Sequence, residues 1–204
     1  MQSKLLILAA LVVALFFGYR YWSAGPKISV EELQGDTIIC FGDSLTYGTG
    51  APSGKGYPEQ LGRLIDRPVI NAGIPGDTTT GALARLQKDV LDRSPRLVLI
   101  TIGGNDLKNG VALETARANL QAILSSIRSH GALAVVGGIN IPLMDRGFGR
   151  MYEEVTEETD ALLVDNILGG IMGHANLMSD QIHPNGAGYA IMAERFKEAI
   201  EPYL

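Results

Sequence analysis

The sequence predicts an α/β fold, a parallel sheet of about five strands with helices on both faces. Two observations predict it. Short apolar runs alternate with longer stretches of helical period, in the order β-α-β-α-β-α-β-α-β-α, and such alternation makes a parallel sheet. Several of the apolar runs also end in glycine-bearing polar segments, Phe41-Gly42-Asp43-Ser44 and Ile102-Gly103-Gly104-Asn105 among them. Open α/β sheets bind ligands outside the carboxyl ends of their strands. With 204 residues, 46% hydrophobic and 19% charged, the chain supports one domain with a proper core and is too short for two ordinary ones.

Residues 5–22 are nearly unbroken apolar sequence after Lys4, with Tyr19, Tyr21 and Trp22 at one end. As a helix they span about 27 Å, close to the roughly 30 Å of a bilayer core. Aromatic rings favour the interface, and Arg20 is placed to snorkel to water. We therefore expect residues 1–26 to be a single-pass membrane anchor and linker, with one domain at 27–204 facing outward. A cleaved signal segment is the alternative: Ser23 and Gly25 have the small-residue spacing of a cleavage site, although Pro26 is a poor residue after a cut. The positive-inside rule leaves orientation open, because Lys4 on one side faces Arg20 and Lys27 on the other.

The body follows in order. Residues 37–40 form a buried strand running toward Ser44, and 48–56 a Gly/Pro/Ser loop. Pro58 suits the first turn of a helix to about residue 66. A short strand over 68–71 leads to Ala72-Gly73-Ile74-Pro75-Gly76. Asp77, Thr78 and Thr79 are N-cap types for a helix to about 93, with Leu83, Leu86 and Val90 on its apolar face. Pro95 ends that region. Residues 97–102 are the clearest strand, and 113–129 the clearest amphipathic helix, stopped by His130-Gly131. A strand over 132–136, an acidic helix over 151–160 and a weak strand over 162–164 come next. The last helix, 186–202, turns Tyr189, Ala193, Phe196 and Ile200 inward.

The candidate chemistry starts at Ser44, held at the end of a buried strand. A serine hydroxyl is a weak nucleophile and needs a base, an orienter for that base and donors for the oxyanion. Pro184 keeps His183 out of helical geometry, so its ring can project from a loop and take the Ser44 proton. Asp180, three residues earlier, can accept from the other ring nitrogen. The Ser44 N–H, the Gly73 N–H and the Asn105 amide are the candidate oxyanion donors. The Gly-x-Ser-x-Gly elbow of α/β-hydrolases is absent, since Thr46 stands where its second glycine would be.

Four blocks carry a family resemblance: Gly42-Asp43-Ser44-Leu45, Gly73 after Asn71, Gly104-Asn105-Asp106, and Asp180-Gln181-Ile182-His183. In this order the chain resembles the SGNH hydrolases, or GDSL esterases/lipases, over roughly residues 36–200. The stretch Asn71-Ala72-Gly73-Ile74-Pro75-Gly76-Asp77-Thr78 is similar to the bacterial acyl-CoA thioesterase, lysophospholipase and arylesterase branch. The resemblance implies a three-layer α/β/α, flavodoxin-like fold and a shallow, tolerant site. It also implies no cofactor and a serine esterase acting on acyl esters or thioesters. A location at the bacterial inner membrane follows if the anchor is retained, with lipid or small acyl esters as substrates; a soluble periplasmic enzyme follows if it is cleaved. The rivals are a carbohydrate O-acetylesterase of the same family and a non-catalytic, membrane-tethered binding module.

Other features exclude or stay plain. Lys4 and Arg20 are the only charged residues of 1–26, so the body carries −7 against −5 for the whole chain, an acidity that argues against nucleic acid as a partner. The single cysteine, Cys40, excludes an internal disulfide and reads as a small buried hydrophobe. No His and carboxylate set has metal-ligand spacing. Asp43 and Asp106 read as local loop braces, Gly104 as a turn glycine, His130 as a helix-end residue and His174 as a surface residue. The loop 139–151 follows a strand, and we expect Leu143 and Phe148 to reach the acyl chain or a membrane surface.

Overall fold

The computed structural model describes residues 28–140 and 145–204. The apolar segment and anchor expected before residue 27 lie outside the described residues, as does Leu143. Among the described residues no helix is long and apolar enough to cross a membrane.

Five strands, β1 (Thr37–Gly42), β2 (Val69–Gly73), β3 (Pro95–Thr101), β4 (Leu133–Gly137) and β5 (Leu162–Val164), form one sheet in the order β2-β1-β3-β4-β5. Every pairing is parallel. The helices are α1 (Ser44–Tyr47), α2 (Tyr57–Ile65), α3 (Thr79–Asp89), α4 (Gly104–Asn109), α5 (Leu113–Ser129), α6 (Phe148–Glu158) and α7 (Gly186–Ile200). The crossover through α2 steps from β1 to β2, whereas those through α3, α5 and α6 step the other way. Right-handed crossovers of opposite direction lie on opposite faces, so α2 covers one face, with α7 packed on it, and α3, α5 and α6 cover the other. The chain reverses direction between β1 and β3, and the crevice at their carboxyl ends is where this topology binds ligands.

The apolar runs form the middle of the sheet because they are buried on both faces: Ile39, Phe41, Leu97, Leu99 and Ile100 are fully buried. Each such side chain contributes roughly 1.5–3 kcal/mol relative to exposure. The predicted inner face of α5 is buried through Ala116, Leu120, Ile123, Leu124 and Ile127.

Three expectations change. Pro95 begins β3 instead of ending the preceding region; a first strand position tolerates its missing N–H. Helix α6 starts at Phe148, three residues before the expected Met151, and Phe148 is buried in the core at 3% exposure. It is therefore not a contact for an acyl chain or membrane. The short helices α1 and α4 occupy stretches for which the sequence predicts no helix.

Residues 28–36 lie at the amino-terminal ends of the strands. Gln34 N–H donates to Gly131 O at 2.8 Å and Asp36 N–H to Ser94 O at 3.1 Å. Arg96 Nη1 holds Leu33 O at 3.1 Å.

Candidate active site

Ser44 is positioned by a strand, a cap and a stop. The register aligns Gly42 with Gly73 of β2 and Thr101 of β3. The three loops that follow therefore leave the sheet at one level. Asp43 N-caps α1, its Oδ1 accepting Leu45 N–H at 2.9 Å. Gly48, at φ 91°, ends the helix after one turn. Ser44 is thus the first helical residue, and its N–H has no partner among the described residues.

The expected Ser-His-Asp set comes together. His183 Nε2 lies 3.0 Å from Ser44 Oγ, and His183 Nδ1 lies 2.8 Å from Asp180 Oδ2. A proton on Nδ1, aimed at the carboxylate, leaves Nε2 as acceptor for the Ser44 hydroxyl. Asp180 Oδ1 also accepts the N–H groups of Ile182 and His183, each at 2.7 Å. The same carboxylate thus orients both the ring and the backbone that carries it. Ser179 N–H closes the loop on His183 O at 2.9 Å, and Asn185 caps α7 directly behind. These hydrogen bonds, that of the His183 ring foremost, pull the Asp180 carboxyl down to about 2. Its side chain is 53% exposed, so burial does not drive the shift.

The oxyanion side differs from expectation. The Gly73 N–H is taken: it donates to Asn71 Oδ1 at 3.0 Å. Gly73 is required there for another reason, since a Cβ would run into the backbone of Thr46 and Tyr47. Directly after it, Ile74 to Asp77 form a tight turn closed by Asp77 N–H on Ile74 O at 3.1 Å. Pro75 and Gly76 (φ +84°) fill its central positions, as a type II turn demands. The Gly76 N–H has no partner among the described residues. The Pro-Gly pair was the sequence signal for it. Asn105 Nδ2 donates to Asp77 O at 2.8 Å and to Asp43 Oδ2 at 3.3 Å, so its amide faces both the turn and the nucleophile's loop.

Two braces hold these loops, Arg85 partly buried and Asp106 fully so. Arg85, which sequence reasoning missed, donates through Nη2 to Gly42 O, through Nη1 to Ala72 O (both 2.9 Å) and through Nε to Asp77 Oδ2 at 2.7 Å. Its guanidinium lies 4.2 Å from the Phe41 ring centroid. Asp106 was expected to act locally. Instead it accepts Thr79 N–H at 2.9 Å and Thr79 Oγ1 at 2.6 Å, starting α3 from 27 positions away. Asp43 does act locally, but it is 3% exposed, and burial first of all pushes its carboxyl up to about 7. Of the two glycines after β3 the strained one is Gly103 (φ +112°), where a Cβ would strike Tyr152 Oη; Gly104 has ordinary room. Cys40 is buried in β1 and burial pushes its thiol up, so it behaves as a small hydrophobe. His130 caps α5 and His174 is exposed.

The chain is similar to known esterases in sequence and in fold. Esterase TesA of Pseudomonas aeruginosa is 30% identical over 185 residues, covering 85% of this chain and 92% of its own length. The crystal structure of TesA superposes with a TM-score of 0.78 at 32% identity, over 83% of this chain and 100% of that one. Thioesterase 1/protease 1/lysophospholipase L1 of Escherichia coli is 27% identical over 87% of this chain and 89% of its own. An acetylxylan esterase of Geobacillus stearothermophilus is 27% identical over 82% and 94%. Residues 40–191, which hold the whole arrangement just described, match the GDSL-like Lipase/Acylhydrolase family, and the chain belongs to it.

Proposed function

We propose that this acylhydrolase cleaves carboxylic esters and thioesters in two steps through Ser44. In the first, Ser44 Oγ attacks the acyl carbon while its proton passes to His183 Nε2. The carbonyl oxygen takes the negative charge in front of the Ser44 N–H, the Gly76 N–H and the Asn105 amide. The acyl–oxygen or acyl–sulfur bond then breaks, and His183 returns the proton to the departing alcohol or thiol. In the second step a water gives its proton to His183 and attacks the acyl-enzyme; the acyl–Ser44 bond breaks, His183 Nε2 passes that proton to Ser44 Oγ, and the acid leaves. Asp180 keeps the ring oriented throughout and stabilises the imidazolium. The longer of the two Asn105 hydrogen bonds, to Asp43 at 3.3 Å, is the one redirected to the oxyanion.

The unbroken chain from Asp180 through His183 to Ser44 carries this reading. Ser44→Ala should lower turnover of p-nitrophenyl esters by roughly 10⁴-fold or more, and a fluorophosphonate should label the wild type at Ser44 alone. Equal turnover in the two proteins sinks the reading. The relatives named esterase and thioesterase/lysophospholipase support the acyl ester and thioester reading, and the acetylxylan esterase supports the second reading, an O-acetylesterase. An acyl series from acetate to palmitate separates them: an optimum at acetate favours the glycan esterase.

For the chain as a whole we propose residues 1–26 as a membrane anchor or signal segment and 27–204 as the catalytic domain, exported across a bacterial inner membrane. The support is the apolar run of residues 5–22. Sequencing the mature amino terminus separates the two: an intact Met1 in an alkali-resistant membrane fraction means an anchor, and a new terminus near residue 24 or 26 means a cleaved signal.

A further inference from the structure

We propose that Thr46 is a positioning residue: its buried hydroxyl, hydrogen-bonded to Thr101, fixes the turn that carries Ser44 against the strand that leads to Asn105, and so sets the nucleophile against its oxyanion donor. This rests on the triad reading above.

Helix α1 is a single turn of four residues. A helix that short has too few internal hydrogen bonds to hold itself, so contacts outside it must fix the direction of Ser44. Residues two apart on a helix point about 200° apart around its axis, so Thr46 faces away from Ser44. Ser44 is partly open to solvent, whereas Thr46 is fully buried. Thr46 Oγ1 lies 2.6 Å from Thr101 Oγ1 and 3.0 Å from Tyr57 Oη, and Thr101 and Tyr57 are fully buried too. The one proton of the Thr46 hydroxyl goes to one neighbour, and its lone pairs accept from the other. Tyr57 is itself fixed, its ring centroid 5.1 Å from that of Phe196 on α7. Gly42 leaves room for this contact, since a Cβ there would meet Thr46 Oγ1 and Thr101 O. The position at which an α/β-hydrolase elbow has its second glycine is used here for anchorage.

Thr101 grips the chain on both sides of Ser44. Its hydroxyl meets Thr46, and its carbonyl accepts Asp43 N–H at 3.2 Å. Thr101 is also the last residue of β3, and Asn105 follows four positions later. The Thr46–Thr101 bond is therefore a direct side-chain link between the nucleophile's turn and the strand that delivers the amide. A second link, Asn105 Nδ2 to Asp43 Oδ2 at 3.3 Å, is the one given up when the amide turns to the oxyanion. The hold on Thr101 remains through the reaction. Without the Thr46 hydroxyl, two buried hydroxyls lose a partner, and the turn shifts to satisfy them.

The test removes hydroxyls at nearly constant shape. In the full chain, Thr46→Val should lower kcat for p-nitrophenyl butyrate about tenfold or more and leave KM within about twofold, since a misplacement of about 1 Å costs up to about 10²-fold. Thr46→Ser keeps the hydroxyl and should restore kcat. Thr101→Val breaks the same bond from the strand side and should lower kcat alike, so the result does not hang on one variant folding. Thr159→Val, just past α6, loses a buried hydroxyl bonded to Val155 O at 2.6 Å. It should lower Tm to a similar extent and leave kcat unchanged. In an Asn105→Ala background the effect of Thr46→Val should shrink to about twofold or less, because the group it positions Ser44 against is gone. Three results each overturn the proposal: wild-type kcat in folded Thr46→Val or Thr101→Val, an equal loss of kcat in Thr159→Val, or an undiminished effect in Asn105→Ala. If Ser44→Ala stays active, the triad reading falls and this proposal with it. If Ser44→Ala is inactive and Thr46→Val has wild-type kcat, the positioning role alone falls.

Discussion

Arg85 ties four parts of the site together, because its planar fork serves several acceptors at once. It meets the carbonyls that end β1 and precede Gly73, the carboxylates of Asp77 and Asp89, and the face of Phe41. Its side chain is 14% exposed and that of Asp77 9%, so these contacts are little screened. Lysine supplies a point charge without the fork. Arg85→Lys should therefore cost about 2–3 kcal/mol, or roughly 5–10 °C in Tm, and lower kcat, because the Gly76 turn loses its brace. Thermal unfolding with acetate kinetics checks both. Asp43 gives the second residue-scale prediction. Its carboxyl stands near 7 in the folded chain, above the ordinary 3.8, so the folded state holds the proton more tightly. The stability this contributes is full below pH about 4 and is lost as pH rises through about 7. Asp43→Asn keeps an N-cap oxygen and removes the titration. Denaturant unfolding at pH 5 and pH 8 should show the wild type weakening with pH and the variant much less; parallel behaviour refutes it.

The strands and long helices are local objects, which is why they were legible in the residues. Helix α5 and strand β5 begin and end where periodicity and the apolar run placed them. Ser44, Asp180 and His183 were legible too, because each sits where a strand or a helix-breaking proline makes its place unambiguous. The rest depended on contacts remote in sequence. Arg85 looks like any charged residue on a helix, and only the folded sheet brings Gly42 O to it. Asp106 reaches Thr79 across 27 positions. The sequence did not show which of the two N–H groups is left without a partner, because Gly73 and Gly76 both look permissive. What separates them is the Asn71 side chain occupying the first and the Pro75 turn freeing the second. Gly73→Ala tests this at the scale of the element. A Cβ there meets backbone atoms of α1, so β2 and α1 must part at a cost of about 1–3 kcal/mol. Unfolding should register that loss, and a weakened acyl-enzyme burst should register the displaced Ser44. Gly76→Ala meets open space but is strained at φ +84°, and should cost about 1 kcal/mol and weaken the burst.

At the scale of the molecule, the two ends of the sheet do different things. Ser44, the Ile74–Asp77 turn, Asn105 and the His183 loop gather at the carboxyl ends of the strands. Residues 28–36 are pinned at the opposite ends, through Gly131, Ser94 and Arg96. The seven residues of β3 alone separate the two ends by about 20 Å. Only residues 23–27 lie between the apolar segment and Ile28, and five residues reach at most about 18 Å when fully extended. A chain held in a bilayer by residues 5–22 therefore presents its catalytic end away from that bilayer. This reverses the simple inference that an anchor favours lipid substrates in the same membrane. With the full chain reconstituted in liposomes, a lysophospholipid in the same vesicles should be hydrolysed no faster than the same lipid in separate, protein-free vesicles. Dissolved p-nitrophenyl butyrate should be turned over equally in liposomes and in detergent. A rate tenfold higher on the lipid sharing the enzyme's own bilayer would mean that the domain tips over on its tether, and the geometry of the sheet would then not govern access to Ser44.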